Sequence, residues 1–225
     1  MLYQIAIDGP SGAGKSSLAK AVAARLGIVY VDTGALYRTI GYYTLQKGIT
    51  PSDAAGVSAL LSEIRIELAF EDGTQYVYLN GENLGDKIRR PEVSMAASAV
   101  SAIPAVRAFL LETQKSIART NSVIMDGRDI GTVILPDADI KIFLFASDEA
   151  RARRRTAELE AKGMQASYED VLREMRERDA QDRNRDIAPA IPAPDAIMFD
   201  NSELSVEQSI EKMLEIVRER LPGVC

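Results

Sequence analysis

The octet Gly9-Pro10-Ser11-Gly12-Ala13-Gly14-Lys15-Ser16 fits the phosphate-loop pattern G-x-x-x-x-G-K-[ST]. That pattern works only between a strand and a helix, and both flanks comply. Ile5-Ala6-Ile7 reads as a buried strand, while Ser17-Leu18-Ala19-Lys20-Ala21-Val22-Ala23-Ala24-Arg25-Leu26 is rich in helix formers and Gly27 supplies a stop. The glycines let the backbone turn so that several N–H groups point into one concavity, to which the next helix adds the positive end of its dipole. Gly9 to Ser17 is therefore a predicted cradle for nucleotide phosphates. Lys15 would bridge the β- and γ-phosphates, Ser16 would offer its hydroxyl to Mg²⁺, and Ser17 would hydrogen-bond phosphate oxygens from the first helical turn.

Strand and helix go on alternating. Ile28-Val29-Tyr30-Val31 predicts a second strand, and Thr33-Gly34 sits where a helix cap belongs. Further strands are predicted at Val123-Ile124-Met125, Ile140 to Phe145 and Ala196 to Phe199. Short apolar runs separated by helical segments predict parallel strands covered on both faces. Ser147 before Asp148-Glu149, Ser167 with Asp170, and Ser205 with Gln208 mark helix starts. Val106, Phe109, Leu110, Thr113 and Ile117 recur at helical spacing, which predicts a core stripe against the sheet. One stretch breaks the rhythm: Ile64 to Phe70 alternates apolar with charged residues, Glu71-Asp72-Gly73-Thr74 signals a turn, and Gln75 to Leu79 follows. With Asn80-Gly81 as another turn, roughly residues 62 to 90 predict a small antiparallel sheet inserted into the α/β domain.

Composition narrows the partners. With 46% hydrophobic and 27% charged residues the chain is not a disordered one, and no apolar run approaches the roughly 20 residues that span a bilayer. Met1-Leu2-Tyr3-Gln4 leads into the first strand without the basic and apolar regions of a secretory signal, so a cytoplasmic protein is expected. One cysteine, Cys225, excludes an internal disulfide framework and a thiolate-built metal site, and a chain without histidine has no imidazole catalyst. A net charge of −6 disfavours nucleic acid and anionic membrane as partners. Any anion site must be local, and a monomer is the expected state.

Three charged clusters could build that site. In Thr33-Gly34-Ala35-Leu36-Tyr37-Arg38, the arginine can reach the crevice at the strand's carboxyl end, or can lie on the surface beside a packed tyrosine. Asp126-Gly127-Arg128-Asp129 emerges at the same crevice: Asp126 could hold a metal-bound water, Arg128 could grip phosphate in a bidentate fork, and Asp129 could accept from an amino group. A structural ion-pair cluster is the alternative. Arg173 to Arg185 reads as a charged helix with Arg178, Asp182 and Arg185 at i, i+4 and i+7 on one face. Alone it would be a solvated helix; beside a phosphate loop it reads as a mobile lid carrying arginines to the transferring group. Arg151-Ala152-Arg153-Arg154-Arg155 is then either the hinge side of that lid or a contact for the donor nucleotide, since nucleic-acid contact suits an acidic chain poorly.

Together Gly9 to Ser17, Asp32 to Arg38, Asp126-Gly127-Arg128-Asp129-Ile130-Gly131 and Arg178 to Arg185 resemble the bacterial-type cytidylate kinases, P-loop nucleoside monophosphate kinases, over nearly the full chain. The resemblance implies a single kinase domain in three parts. They are a five-stranded parallel core with helices on both faces (about 1–33, 105–150 and 188–225), a monophosphate-binding part (about 34–104) with the inserted sheet (about 62–90), and a helical lid (about 151–187). It implies transfer of the γ-phosphate of ATP, with Mg²⁺, to CMP or dCMP. Arg38, Arg128 and Arg185 would hold the acceptor phosphate, Thr33, Arg178 and Asp182 the sugar hydroxyls, and Ser98, Arg107 and Asp129 the cytosine, with Tyr37 packed beside the acceptor. Lys15, Arg128, Arg178 and Arg185 would neutralise charge on the transferring group. Thr33 stands where the family often has serine, and keeps the hydroxyl. A carboxylate at Asp129 can accept from the cytosine 4-amino group but opposes the 4-oxygen of uracil. The rival readings are a P-loop kinase for another small acceptor and a nucleotide sensor without turnover.

Overall fold

A computed structural model describes residues 2–71, 74–161 and 163–224. Asp72 and Gly73 of the predicted turn, and Cys225, lie outside the described residues. In chain order the elements are β1 (Gln4–Asp8), α1 (Lys15–Leu26), β2 (Val29–Asp32), α2 (Thr33–Gln46), α3 (Ala54–Leu60), β3 (Ile66–Glu71), β4 (Thr74–Leu79), β5 (Glu82–Asn83), α4 (Pro91–Ser101) and α5 (Pro104–Thr120). They continue with β6 (Val123–Asp126), β7 (Ile140–Phe145), α6 (Asp148–Ala161), α7 (Tyr168–Asn184), β8 (Ile197–Asp200) and α8 (Val206–Arg220). A five-stranded parallel sheet has the order β2-β6-β1-β7-β8, and β3-β4-β5 form a separate antiparallel sheet. The chain divides into two compact units, Ile28–Val123 in one and Tyr3–Gly27 with the chain from Ile124 onward in the other.

In the unit that holds β1, Ile5, Ala6 and Ile7 are fully buried, as their unbroken apolar run requires. Strand β7 pairs Ile5 with Ile140 and Ile7 with Ile142, then carries β8 through Leu144 with Phe199. Its own burial alternates: Ile140, Ile142 and Leu144 are enclosed, whereas Lys141, Phe143 and Phe145 are half-buried. Gly9 turns the chain out of β1 at a φ of 147°, where a Cβ would stand 1.9 Å from the Leu144 carbonyl oxygen. No side chain fits there. The three predicted helix starts hold: Ser147 accepts from the Ala150 N–H, Ser167 from Asp170, and Ser205 and Gln208 exchange both bonds of a capping box. Helices α6 and α7 pack on each other around Ala152, Val171 and Met175. Helix α7 stops at Asn184, however, and Arg185 is extended (φ −69°, ψ 143°), so it does not share the helical face of Arg178 and Asp182. That turn of the backbone lets its guanidinium reach the Ala188 carbonyl and Asp129 instead.

The other unit is a helical core beside the small sheet. Leu36, Ile40, Val57, Leu79, Val100 and Leu110 belong to one buried cluster. Helices α2 and α4 meet closely at Gly41, where a Cβ would lie 2.9 Å from the Ala97 nitrogen. The cap of α2 is Asp32, whose carboxylate accepts from the Ala35 N–H at 2.9 Å, one residue before the predicted Thr33. Asn80 (φ 51°) and Gly81 (φ 85°) both take the left-handed conformation that a tight hairpin from β4 to β5 needs. The α5 stripe differs from expectation. Val106 and Leu110 are buried, but the row runs on through Gln114 and Ala118, leaving Phe109, Thr113 and Ile117 half-buried. An i, i+4 row slants across a helix, so a stripe chosen by apolarity alone strays from the face that packs.

Candidate active site

In the unit built on β1, the phosphate loop converts sequence into a basic pocket with a single buried lysine. Lys15 opens α1 and is only 5% exposed, with its ammonium donating to the Pro10 carbonyl at 2.7 Å. Burial pushes its pKa down to about 7; Arg128 and Arg178 add to the fall, while Asp126 and Asp8 oppose it. The next residue, Ser16, donates from its hydroxyl to Asp126 at 2.8 Å, at the carboxyl end of β6. A hydroxyl and a carboxylate are the hard oxygen donors that Mg²⁺ takes. Among the described residues no group of three or more His, Cys, Asp or Glu is arranged to hold a metal, so an ion here would draw its remaining ligands from phosphates and water.

The acidic and basic groups beyond Asp126 are paired with each other. Arg128 donates from Nε to Asp182 of α7 at 3.0 Å, and Arg185 from Nη2 to Asp129 at 3.5 Å. Burial disfavours the Asp182 carboxylate, but Arg128, Arg178 and Arg185 outweigh it and hold the group below its ordinary value. Lys15, Asp126, Arg128, Asp129, Arg178, Asp182 and Arg185 thus form one electrostatic cluster at the mouth of the loop. Beside it lies a cavity of about 400 Å³ whose lining includes Pro10, Arg128, Phe145 and Asp182.

Three supporting residues, Asp8, Asp179 and Asn201, have no role in the sequence-based expectations, and a fourth, Arg151, comes from the predicted basic cluster. Asp8, the last residue of β1, accepts from the N–H groups of Ile130 and Gly131, each at 2.7 Å. Burial raises its pKa to about 6 against those two bonds, with Asp129 adding and Lys15 opposing. An acid ending an apolar strand directly before a phosphate loop was the available signal. Asn201 donates to the Ala13 carbonyl at 3.0 Å, and Asp179 and Arg151 both bond to Ser11. Nothing local distinguishes Asn201 or Asp179 from other polar residues. Of the basic cluster, Arg151 is buried, Arg154 donates to the Asn201 and Ser202 carbonyls, and Arg155 forms a surface pair with Glu158.

The remaining candidates belong to the other unit. Thr33 is buried at the start of α2, one helical turn from Tyr37 and Arg38. Arg38 pairs with Asp32 at 2.7 Å, while its Nε is buried without a hydrogen-bond partner among the described residues. Such an orphan donor suits an incoming anion. The Arg107 guanidinium of α5 lies 5.7 Å from the Tyr37 ring centre and donates to the Ser101 carbonyl at 3.3 Å; Ser101 in turn donates to the Ser98 carbonyl at 2.8 Å. Tyr37, Ser98 and Arg107 are therefore linked within this unit, and Thr33 and Arg38 share the helix of Tyr37.

Comparison with known proteins points to one family. The family model for cytidylate kinase matches residues 5–219. A cytidylate kinase of Fervidobacterium nodosum is 51% identical over 220 residues, covering 98% of each chain. One from Caldicellulosiruptor bescii is 47% identical over 212 residues, covering 94% of each. The crystal structure of shikimate kinase from Bacteroides thetaiotaomicron superposes with a TM-score of 0.50 at 15% identity, over 97% of this chain and 99% of that one, a likeness of fold. No single helix among the described residues is long and apolar enough to cross a membrane. With a family model running through almost every element and relatives about half identical along nearly their full lengths, this chain belongs to the cytidylate kinase family.

Proposed function

We propose that the protein transfers the γ-phosphate of ATP to CMP or dCMP, giving ADP and CDP or dCDP. The observation that carries this reading is Lys15, buried at the base of the phosphate loop and electrostatically coupled to Arg128 and Arg178, in a chain of cytidylate kinase sequence. Phosphoryl transfer needs little covalent help from a protein and much positive charge around the migrating group. Gly9 to Ser17 would cradle the donor phosphates, with Lys15 leaving the Pro10 carbonyl to meet them. Ser16 with Asp126 would hold Mg²⁺ directly or through water, and the ion when bound would supply positive charge that offsets that of the donor phosphates.

Arg38, Arg128 and Arg185 would grip the acceptor phosphate, and Arg178 would join Lys15, Arg128 and Arg185 in stabilising charge as the bond forms. Each of Arg38, Arg128 and Arg185 already faces a carboxylate, which holds its fork in a defined orientation before substrate arrives. Thr33 and Asp182 would address the sugar, and Ser98, Arg107 and Asp129 the base, with Tyr37 alongside. The attacking phosphate oxygen is ionised at neutral pH, so no general base is called for. The three-part division carries the same proposal: a sheet core, a monophosphate part holding the antiparallel insert, and a lid of α6 and α7 whose closure excludes water. A cytoplasmic monomer acting on small nucleotides completes the reading.

An acceptor panel tests it. Purified protein with MgATP is offered CMP, dCMP, UMP, AMP and GMP, and ADP release is followed, with Lys15→Ala as control. CMP and dCMP are expected to turn over fastest. Brisk phosphorylation of another monophosphate with neither cytidylate consumed would overturn the base assignment.

A further inference from the structure

Ser11 sits at the bend of the phosphate loop, and both of its peptide groups are claimed by side chains 140 and 168 residues further along the chain. Its N–H donates to Asp179 Oδ1 at 2.9 Å, and its carbonyl accepts from Arg151 Nη1 at 2.6 Å. The two side chains also pair with each other through Arg151 Nη1 and Asp179 Oδ2. Carboxylate, guanidinium and peptide therefore close a ring. Arg151 is 3% exposed, and its other N–H groups go to Asp148 and to the Ala146 carbonyl, so the fork cannot swing. One turn before Asp179, the Met175 methyl lies 2.6 Å from where a Cβ on Gly12 would stand. Two successive loop residues are thus gripped by one face of α7.

A buried ion pair adds little net stability over an apolar pair of the same size, because both charges lose their hydration. What it does add is register. Arg178 precedes Asp179 directly and Asp182 follows it by three residues on the same helix, so clamping Asp179 to the loop fixes where those two groups stand relative to the phosphates.

We propose that the Ser11–Arg151–Asp179 junction couples nucleotide occupancy of the phosphate loop to the placement of the α7 arginines, with Arg151 and Asp179 acting as positioning residues that touch no substrate. This rests on the kinase reading above. Donor phosphates that order the loop settle the Ser11 peptide, the settled peptide favours the closed ring, and the ring presents Arg178 and the Arg128–Asp182 pair to the acceptor. By linkage the acceptor must then tighten donor binding by the same factor.

The test measures the dissociation constant of CMP by calorimetry, with and without a saturating Mg²⁺ complex of the β,γ-imido analogue of ATP. The proteins are wild type, Asp179→Asn, Arg151→Lys and the apolar pair Arg151→Met with Asp179→Leu. In wild type the analogue is expected to tighten CMP by about fivefold or more. In all three variants that ratio is expected to fall near one, with kcat down by about 10²-fold and the affinity for the analogue alone changed by less than about threefold. The apolar pair keeps the test decisive if a single variant fails to fold, since replacing both partners leaves no unpaired buried charge. A variant that keeps the wild-type ratio overturns the proposal, as does one that weakens both ligands equally while leaving their ratio intact. Wild type that binds CMP but shows no coupling also overturns it. Wild type that neither binds nor phosphorylates CMP sinks the functional reading instead.

Discussion

Replacing Lys15 with methionine is expected to change how the protein's stability depends on pH, in a direction set by the burial of the ammonium. The ordinary lysine pKa of 10.5 falls to about 7 in the fold, chiefly through burial and then through Arg128 and Arg178. Between those values the unfolded chain holds a proton that the native chain has released, so wild-type stability rises with pH across the window. The full difference, at 1.36 kcal/mol per pH unit, comes to about 5 kcal/mol, of which about 2 kcal/mol falls between about pH 7.5 and 9. Lys15→Met lacks the titrating group and keeps the methylene packing. Urea unfolding of both proteins at several pH values, read by far-ultraviolet circular dichroism, gives the wild-type-minus-variant difference. The chain has no histidine, and the titrating groups common to both proteins cancel in that difference to first order. That difference is expected to climb by about 1.4 kcal/mol per pH unit above about pH 7. Saturating MgADP is expected to flatten it, because phosphates keep Lys15 charged, and nucleotide binding near pH 8 is expected to take up close to one proton. Parallel stability curves for the two proteins would refute the reasoning.

Three further outcomes can be measured. Arg38→Met is expected to raise the KM for CMP by about 10- to 100-fold while leaving that for ATP unchanged, since a charged hydrogen bond contributes about 1.5 to 3 kcal/mol; initial-rate kinetics decide it. Asp129→Asn puts an amide donor where the carboxylate offers only acceptors, and the CMP-to-UMP ratio of kcat/KM is expected to drop by about 10²-fold or more. Gly41→Ala puts a methyl 2.9 Å from the Ala97 nitrogen and 3.1 Å from the Ala96 carbonyl carbon. Thermal unfolding is expected to show a net loss of about 1 to 2 kcal/mol, as overpacking between α2 and α4 exceeds the helix-propensity gain.

Legibility in the sequence followed the range of the interaction. The phosphate loop, the capping box at Ser205 and Gln208, and the Asn80-Gly81 turn were visible because each needs only residues a few positions apart. The apolar strands were visible because a strand inside a parallel sheet has no polar face to conceal. The α5 face was misjudged, since Gln114 turns inward and the polarity of one side chain does not reveal what its neighbours enclose. Arg185 is expected on a helix that ends one residue earlier, and its pairing with Asp129, 56 positions away, has no local signature. The basic cluster leaves Arg151 open between a lid hinge and a donor contact, and the supporting bonds of Asp8, Asp179 and Asn201 are not legible for the same reason. Their partners lie between 28 and 188 residues distant, and no spacing rule reaches so far.

The struts beneath the glycine turn carry a consequence for biosynthesis. The motif is written within the first seventeen residues, yet Asp8 leans on Ile130 and Gly131, Ser11 on Arg151 and Asp179, and Ala13 on Asn201. A ribosome therefore releases the recognisable signature early and its scaffolding last. The partners of Asp8 are made first, those of Ser11 next and that of Ala13 last, so the nascent chain acquires the bracing of its nucleotide motif in steps, each more than a hundred residues after the motif itself.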